Sequence, residues 1–131
     1  MIPYRLPLNG PADVIISGQM FEHCPQFWEL MSDMAMKLRR GGYIFLIAPS
    51  TGPEHRYPRD CYRFLPDGFA ALAEYTGLSL IECRLLDVPP WRDLTGVFRK
   101  GTSVMRPGRH CCPWLLQTLA SRMNPRSPSN T

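Results

Sequence analysis

Residues 13–48 read DVIISGQMFEHCPQFWELMSDMAMKLRRGGYIFLIA, and their order decides the fold. Asp13 to Gly18 is a short apolar run ending in small residues, the pattern of a buried parallel strand aimed at a loop. From Phe27 to Leu38 apolar side chains recur at 27, 31, 34 and 38, with 28, 30 and 35 widening the stripe, so the spacing predicts a helix with one face for burial. Gly41-Gly42 is expected to close that helix, and Tyr43 to Ala48 follows as a branched and aromatic run suited to a second strand. Strand, helix and strand make a βαβ crossover, whose loops after each strand open on one edge of the sheet. A functional site is therefore sought at that edge.

Outside this unit the residues read in order. Residues 1–12, with three prolines and Asn9-Gly10, form a leading loop. Pro25 suits the first position of the helix, where a missing N–H costs nothing. Asp33 and Lys37, four apart, are expected to pair on its solvent face, and Lys37, Arg39 and Arg40 to gather at its carboxyl end, where the helix dipole favours cations. Pro66 to Thr76 predicts a second helix stopped by Gly77. Leu78 to Arg84 and Leu94 to Arg99 predict a third and a fourth strand, an antiparallel pair at the sheet edge separated by Pro89-Pro90 and a turn at Trp91 to Asp93. Leu115 to Met123 suits a last helical turn or two, and 124–131 is too polar and proline-rich to order itself.

Length and composition bound what such a chain does. With 131 residues, 44% of them apolar, there is enough chain for one domain with a core and too little for two. The net charge of +4 is uneven: residues 97–131 carry six basic and no acidic groups, which reads as a solvated basic tail over 101–131 and not as a nucleic-acid surface. Five cysteines without paired metal-ligand spacing point to a reducing, cytoplasmic setting, and the His110-Cys111-Cys112 cluster lacks a second ligand pair, so no metal site is expected. No apolar run is long enough to span a membrane.

The densest chemistry lies in Ser50 to Phe64, where Glu54, His55, Arg56, Tyr57, Arg59, Asp60, Tyr62 and Arg63 fall within ten positions. A long aperiodic stretch of this kind is either a binding loop or a plug of Arg-Asp pairs and aromatics closing the sheet's end. Gly18, at a strand's carboxyl end, is either a plain turn residue or a point where a ligand approaches the backbone.

Taken together, Leu6-Pro7-Leu8, Asp13 to Ser17, Phe21-Glu22-His23, Leu38 to Gly42 and Tyr43 to Ile47 resemble the second half of the class I S-adenosylmethionine-dependent methyltransferases. That family has an "LPF" loop before its fourth strand, an "FDVV" strand followed by an "xEH" turn, and "LRPGG" before its fifth strand; Arg40 stands here in place of the proline. The resemblance covers about residues 3–100. It implies an α/β fold, a partial Rossmann-like methyltransferase sheet that lacks the first βαβ units, cut from the family order 3-2-1-4-5-7-6 between strands one and four. It also implies methyl transfer with S-adenosyl-L-methionine, Leu6 and Pro7 flanking the adenine, and Ser17, Gly18 and Gln19 lining the methionine end of the cofactor. Glu22 and His23 would shape the near wall.

His55 and Asp60 are the candidate proton acceptors, and Tyr57 and Arg63 the candidate substrate contacts, for a small-molecule or carbohydrate-like acceptor. The family's glycine-rich loop and ribose-binding acid do not occur in these residues, and Met1-Ile2 offers no adenine-contacting acid or amide. The expectation is thus of a truncated chain, impaired as an isolated methyltransferase. The alternative is a non-catalytic remnant that pairs with itself or a partner chain through its exposed first strand.

Overall fold

A computed structural model describes residues 5–102. The expectations for Met1-Ile2, His110-Cys111-Cys112, the 115–123 helix and the 124–131 segment lie outside the described residues. Four strands form one sheet: β1 (Ala12–Gly18), β2 (Leu38–Pro49), β3 (Ser79–Leu85) and β4 (Asp93–Arg99), in the order β1-β2-β4-β3. β1 runs parallel to β2, while β4 lies antiparallel to both β2 and β3. Two helices accompany it, α1 (Phe27–Lys37) between β1 and β2, and α2 (Pro66–Thr76) between β2 and β3. This small mixed sheet with two helices is consistent with a partial Rossmann-like methyltransferase fold.

Alternation along the strands separates two faces. Ile15 and Ser17 of β1, Ile44, Leu46 and Ala48 of β2, and Leu94 and Phe98 of β4 are buried together with Leu30, Met31 and Met34 of α1 and Phe69 and Leu72 of α2. A row of aromatic contacts runs through this core, with ring centroids 5.1 Å apart for Phe27 and Phe64, 6.0 Å for Phe64 and Phe69, and 5.7 Å for Phe69 and Phe98. Phe69 lies directly over Gly96, where a Cβ would meet its ring at 2.6 Å. The other face stays open: Val14 is 49%, Ile16 74% and Phe45 40% exposed, and Ile16 pairs with Phe45 across the β1–β2 ladder, so β1 is parallel as expected but buried on one face only, and not the buried strand its apolar run predicts.

Several local expectations are corrected. Pro25 lies before the helix, which starts at Phe27 with Gln26 as its cap; a single 3-10 turn, Phe21–His23, fills the gap after β1. Gly41-Gly42 does not end α1. The helix stops at Lys37, and both glycines lie inside β2, opposite an irregularity in β1 where Ala12 pairs with Leu38 and Val14 with Tyr43. Gly41 takes a φ of 79°, and a Cβ on Gly42 would meet the Asp13 carbonyl oxygen at 2.7 Å, so the bulge needs glycine at both places.

Arg39 and Arg40 accordingly belong to β2, and the cation that serves the helix terminus is Lys100. Its Nζ donates to the carbonyls of Ala35 at 2.7 Å and Leu38 at 2.8 Å, satisfying acceptors that the helix end leaves free. Asp33 is likewise buried and not on a solvent face: its Oδ2 accepts the Leu6 N–H at 2.6 Å, and Lys37 Nζ donates to the Leu6 carbonyl. Pro66 starts α2 and Gly77 closes it at φ 70°, both where the sequence puts them.

Candidate functional site

The carboxyl ends of β1 and β2 meet the amino end of β4 at one rim of the sheet. Ser17 is 4% exposed, and its hydroxyl has no hydrogen-bond partner among the described residues. Gly18 has open space where a Cβ would sit, and it is Gln19, at φ 50°, that takes the left-handed conformation as the chain leaves the strand. Gln19 is tied down by its N–H to the Ile47 carbonyl at 2.9 Å and by its amide to Asp93 Oδ1 at 2.8 Å, joining all three strand ends.

The 50–64 segment, which has no helix or strand, is stitched to this rim. Ser50 Oγ donates to the Phe64 carbonyl at 2.6 Å and the Phe64 N–H to the Pro49 carbonyl at 2.9 Å, closing the base of the loop. The Cys61 N–H donates to the Glu22 carbonyl at 2.7 Å, and Tyr62 Oη to the Pro25 carbonyl at 2.9 Å, docking its second half on the 3-10 turn. Its first half leans on the 86–92 connection. The Ser50 and Thr51 N–H groups donate to the Trp91 carbonyl, and a Cβ on Gly52, at φ 109°, would strike the Trp91 ring at 2.3 Å.

Two halves of the sequence thereby bring Glu22, His23, His55, Asp60, Arg63 and Trp91 together. The His23 and His55 ring centroids are 4.9 Å apart, and His55 packs against Trp91 with ring centroids 4.5 Å apart and planes tilted by 53°, with the Arg63 guanidinium 5.9 Å from the Trp91 ring centre. Glu22 is fully buried, and among the described residues neither carboxylate oxygen makes a hydrogen bond of normal geometry; burial pushes its carboxyl up, partly offset by its own nearby but poorly aligned backbone N–H and by His23, His55 and Arg63. His23 Nε2 faces Glu22 Oε1 at 3.6 Å, and His23 Nδ1 bonds the Arg59 carbonyl. Donor atoms of Glu22, His23 and His55 all lie within 4.8 Å of one another.

Asp60 is committed elsewhere. Its side chain is 3% exposed, both oxygens hold Arg63, and the Arg63 guanidinium keeps its carboxyl well below the usual carboxylate range. A carboxylate so held is a weak proton acceptor. His55, 39% exposed and without a hydrogen bond at Nδ1, is the freer of the two candidate bases.

Of the residues singled out from the sequence, His23, His55, Asp60 and Arg63 converge, and Ser17, Gly18 and Gln19 share their rim of the sheet. Tyr57 is 85% exposed on the outside of the loop. Leu6 and Pro7 are held differently: the Leu6 backbone is gripped by Asp33 and Lys37 of α1, and Pro7 is exposed. Trp91, read from the sequence as part of a turn, is the packing surface under His55; its aromatic character next to Pro89-Pro90 was the one available signal.

No protein-family model matches the chain, and no curated protein does. Solved structures do. A chain of the complex between the Haloferax volcanii Trm112 methyltransferase activator and a methyltransferase matches with a TM-score of 0.61 at 15% identity, over 77% of this chain and 59% of that one. The N-methyltransferase NodS from Bradyrhizobium japonicum, in complex with S-adenosyl-L-homocysteine, matches with a TM-score of 0.55 at 15% identity, over 72% and 49%. A pericyclic reaction enzyme matches with a TM-score of 0.53 at 14% identity, over 76% and 29%. The described residues thus share their fold with these solved structures, methyltransferases and a pericyclic reaction enzyme alike. The chain spans less than two thirds of the length of each of these relatives. Among the described residues no helix is long and apolar enough to cross a membrane.

Proposed function

We propose that the chain is an S-adenosylmethionine-dependent methyltransferase family member, acting on a small polar or carbohydrate-like acceptor and impaired when isolated. The observation that carries this reading is the rim at Ser17 to Gln19: a buried hydroxyl with no partner beside a glycine whose Cβ position is open, at the carboxyl end of a parallel strand. The strand order β1-β2-β4-β3 also fits the family's 4-5-7-6 half. These features fit the methionine end of S-adenosylmethionine, with Ser17 Oγ and the backbone of Gly18 and Gln19 as its contacts and His23 nearby. When bound, the cofactor supplies an electrophilic methyl group on a sulfonium.

The chain's own part is to orient the acceptor and take its proton. His55 is the proton acceptor in this reading. Asp60 and Arg63 hold the loop that carries it, and Tyr57 meets the acceptor from the outer side. The glycine-rich loop is not among these 131 residues, so binding is expected to be weak, in the millimolar range. The free thiols of Cys24, Cys61 and Cys83 suit a reducing cytoplasm. Because the same fold serves a pericyclic reaction enzyme, fold alone does not carry the chemistry.

Titration of the isotope-labelled chain with S-adenosyl-L-homocysteine, followed by amide chemical shifts, tests the reading. Shifts are expected at Ser17, Gly18 and Gln19. Their absence at saturating ligand overturns it.

A second reading has its own observation. β1 is the sheet's edge among the described strands, and Val14 and Ile16 on it are exposed, so it can accept a strand from a second copy or a partner chain. A concentration-dependent sedimentation coefficient is its expected signature.

A further inference from the structure

The group Glu22, His23 and His55 supports a second assignment of His55, an alternative to its role as proton acceptor in methyl transfer. His23 Nδ1 faces the Arg59 carbonyl, an acceptor without a proton, so Nδ1 must carry the imidazole hydrogen. In the neutral ring Nε2 is then a bare lone pair, and it lies 3.6 Å from Glu22 Oε1. Two acceptors facing each other repel unless a cation lies between them. Glu22 is fully buried, and among the described residues neither of its oxygens makes a hydrogen bond of normal geometry. The second imidazole, His55, comes within 4.9 Å of the first, ring to ring, and its Nδ1 is 3.5 Å from the Asp60 carboxylate.

A proton on His23 would answer only part of this. It would pair with Glu22 Oε1, as a proton carried by Glu22 would pair with Nε2, but neither would engage His55. A divalent ion would engage all three side chains together. Two imidazoles and one carboxylate are a donor set preferred by Zn2+ over Mg2+ or Ca2+, which favour oxygen ligands. The backbone carbonyl behind His23 and the carboxylate behind His55 take the places of the outer groups that orient ligating imidazoles. Ligand atoms of a tetrahedral zinc are about 3.3 Å apart. The three donors here lie within 4.8 Å of one another, so binding requires them to draw together by up to about 1.5 Å.

We infer that Glu22, His23 and His55 form a divalent transition-metal site, suited to Zn2+, with a fourth position left open. The sequence gives no such signal, because Glu22 and His23 are adjacent and His55 follows 32 positions later, outside any familiar ligand spacing.

The test uses the full chain, stripped with a chelator and titrated with Zn2+ by calorimetry, with elemental analysis for stoichiometry and circular dichroism to verify folding. A single Zn2+ per chain at micromolar or tighter affinity is expected, with no comparable binding of Mg2+. His55→Ala, which alters a partly exposed loop residue, should weaken it by about tenfold or more, and Glu22→Gln, which keeps the shape, should do the same. A triple variant, His110→Ala with Cys111→Ser and Cys112→Ser, should bind as the wild type does. Co2+ in place of Zn2+ should give a visible spectrum without a thiolate charge-transfer band. Failure to bind, affinity unmoved by His55→Ala, loss in the triple variant, or a thiolate band each overturn the assignment.

Discussion

Asp60 holds Arg63 with both carboxylate oxygens, Oδ1 accepting from Nη1 at 2.6 Å and Oδ2 from Nη2 at 2.8 Å. Oδ2 also accepts the His55 N–H at 2.8 Å, and Nη2 of Arg63 donates to the Pro53 carbonyl at 2.9 Å, so one ion pair fastens both ends of the loop. Since Asp60 is nearly buried and the guanidinium is not easily satisfied elsewhere, Asp60→Asn should cost about 2–3 kcal/mol.

The pH dependence follows from the lowered folded-state pKa of Asp60. The contribution is whole above the unfolded value of about 3.9 and is lost as pH falls from there toward the much lower folded value. Urea unfolding of wild type and Asp60→Asn from pH 7 downward should show a constant gap that narrows once pH drops below about 4. A gap that stays constant into acid would show that the ion pair does not stabilise the fold.

Asp33 makes a second prediction at the other end of the molecule. Its Oδ2 accepts the Leu6 N–H at 2.6 Å, and its neighbour Lys37, 3.9 Å away, donates to the carbonyl of the same residue. Asp33→Ala removes the acceptor and should cost about 1–2 kcal/mol. Its sharper signature is local: the Leu6 amide should exchange with solvent far faster, and residues 5–12 should become the first site of proteolysis. Unchanged exchange at Leu6 would refute the clamp.

These two aspartates mark what sequence can and cannot give. The periodicity of α2, its proline start and its glycine stop are local, and so is the apolar run of β1; each was legible because neighbours in sequence determine it. The Asp33–Lys37 pair, visible four residues apart, forms at 3.9 Å, but Asp33 is buried and also accepts the Leu6 N–H from 27 residues away, which local spacing does not show. Lys100 caps α1 from 62 residues beyond Leu38, while Arg39 and Arg40 beside the helix belong to the next strand. The site divides the same way. The crowding of 50–64 flagged His55, Asp60 and Arg63, but the convergence of His55 with Glu22, His23 and Trp91 is tertiary and carries no sequence period.

Two glycines predict opposite outcomes on substitution by alanine. At Gly96 a Cβ would meet Phe69 Cδ2 at 2.6 Å and Phe98 Cε2 at 2.9 Å, inside the aromatic row of the core. Gly96→Ala should therefore destabilise by about 1–3 kcal/mol through overpacking. At Gly18 nothing lies within 4 Å, and Gly18→Ala should stay within about 0.5 kcal/mol of wild type in urea. If Gly18→Ala nonetheless abolishes the S-adenosyl-L-homocysteine shifts at Ser17 and Gln19, the glycine serves the ligand and not the fold. Equal stability of both variants would refute the packing of Phe69 on β4.

Ile16 tests the open face. It is 74% exposed on the edge strand β1, pairs with Phe45 at 40% exposure, and has Val14 two residues before it on the same side. Contiguous apolar side chains next to unpaired strand N–H and C=O groups favour association with another strand, and a lysine on an edge strand is a usual block to it. Ile16→Lys should thus lower the sedimentation coefficient at high protein concentration to that of a monomer, while changing unfolding free energy by no more than about 0.5 kcal/mol, because little of Ile16 is buried within the chain. Ile15→Lys, one residue earlier but 9% exposed on the core face, is the contrasting variant and should unfold the protein. A wild-type chain that stays monomeric at its highest soluble concentration, with Ile16→Lys indistinguishable from it, would rule out self-pairing through β1.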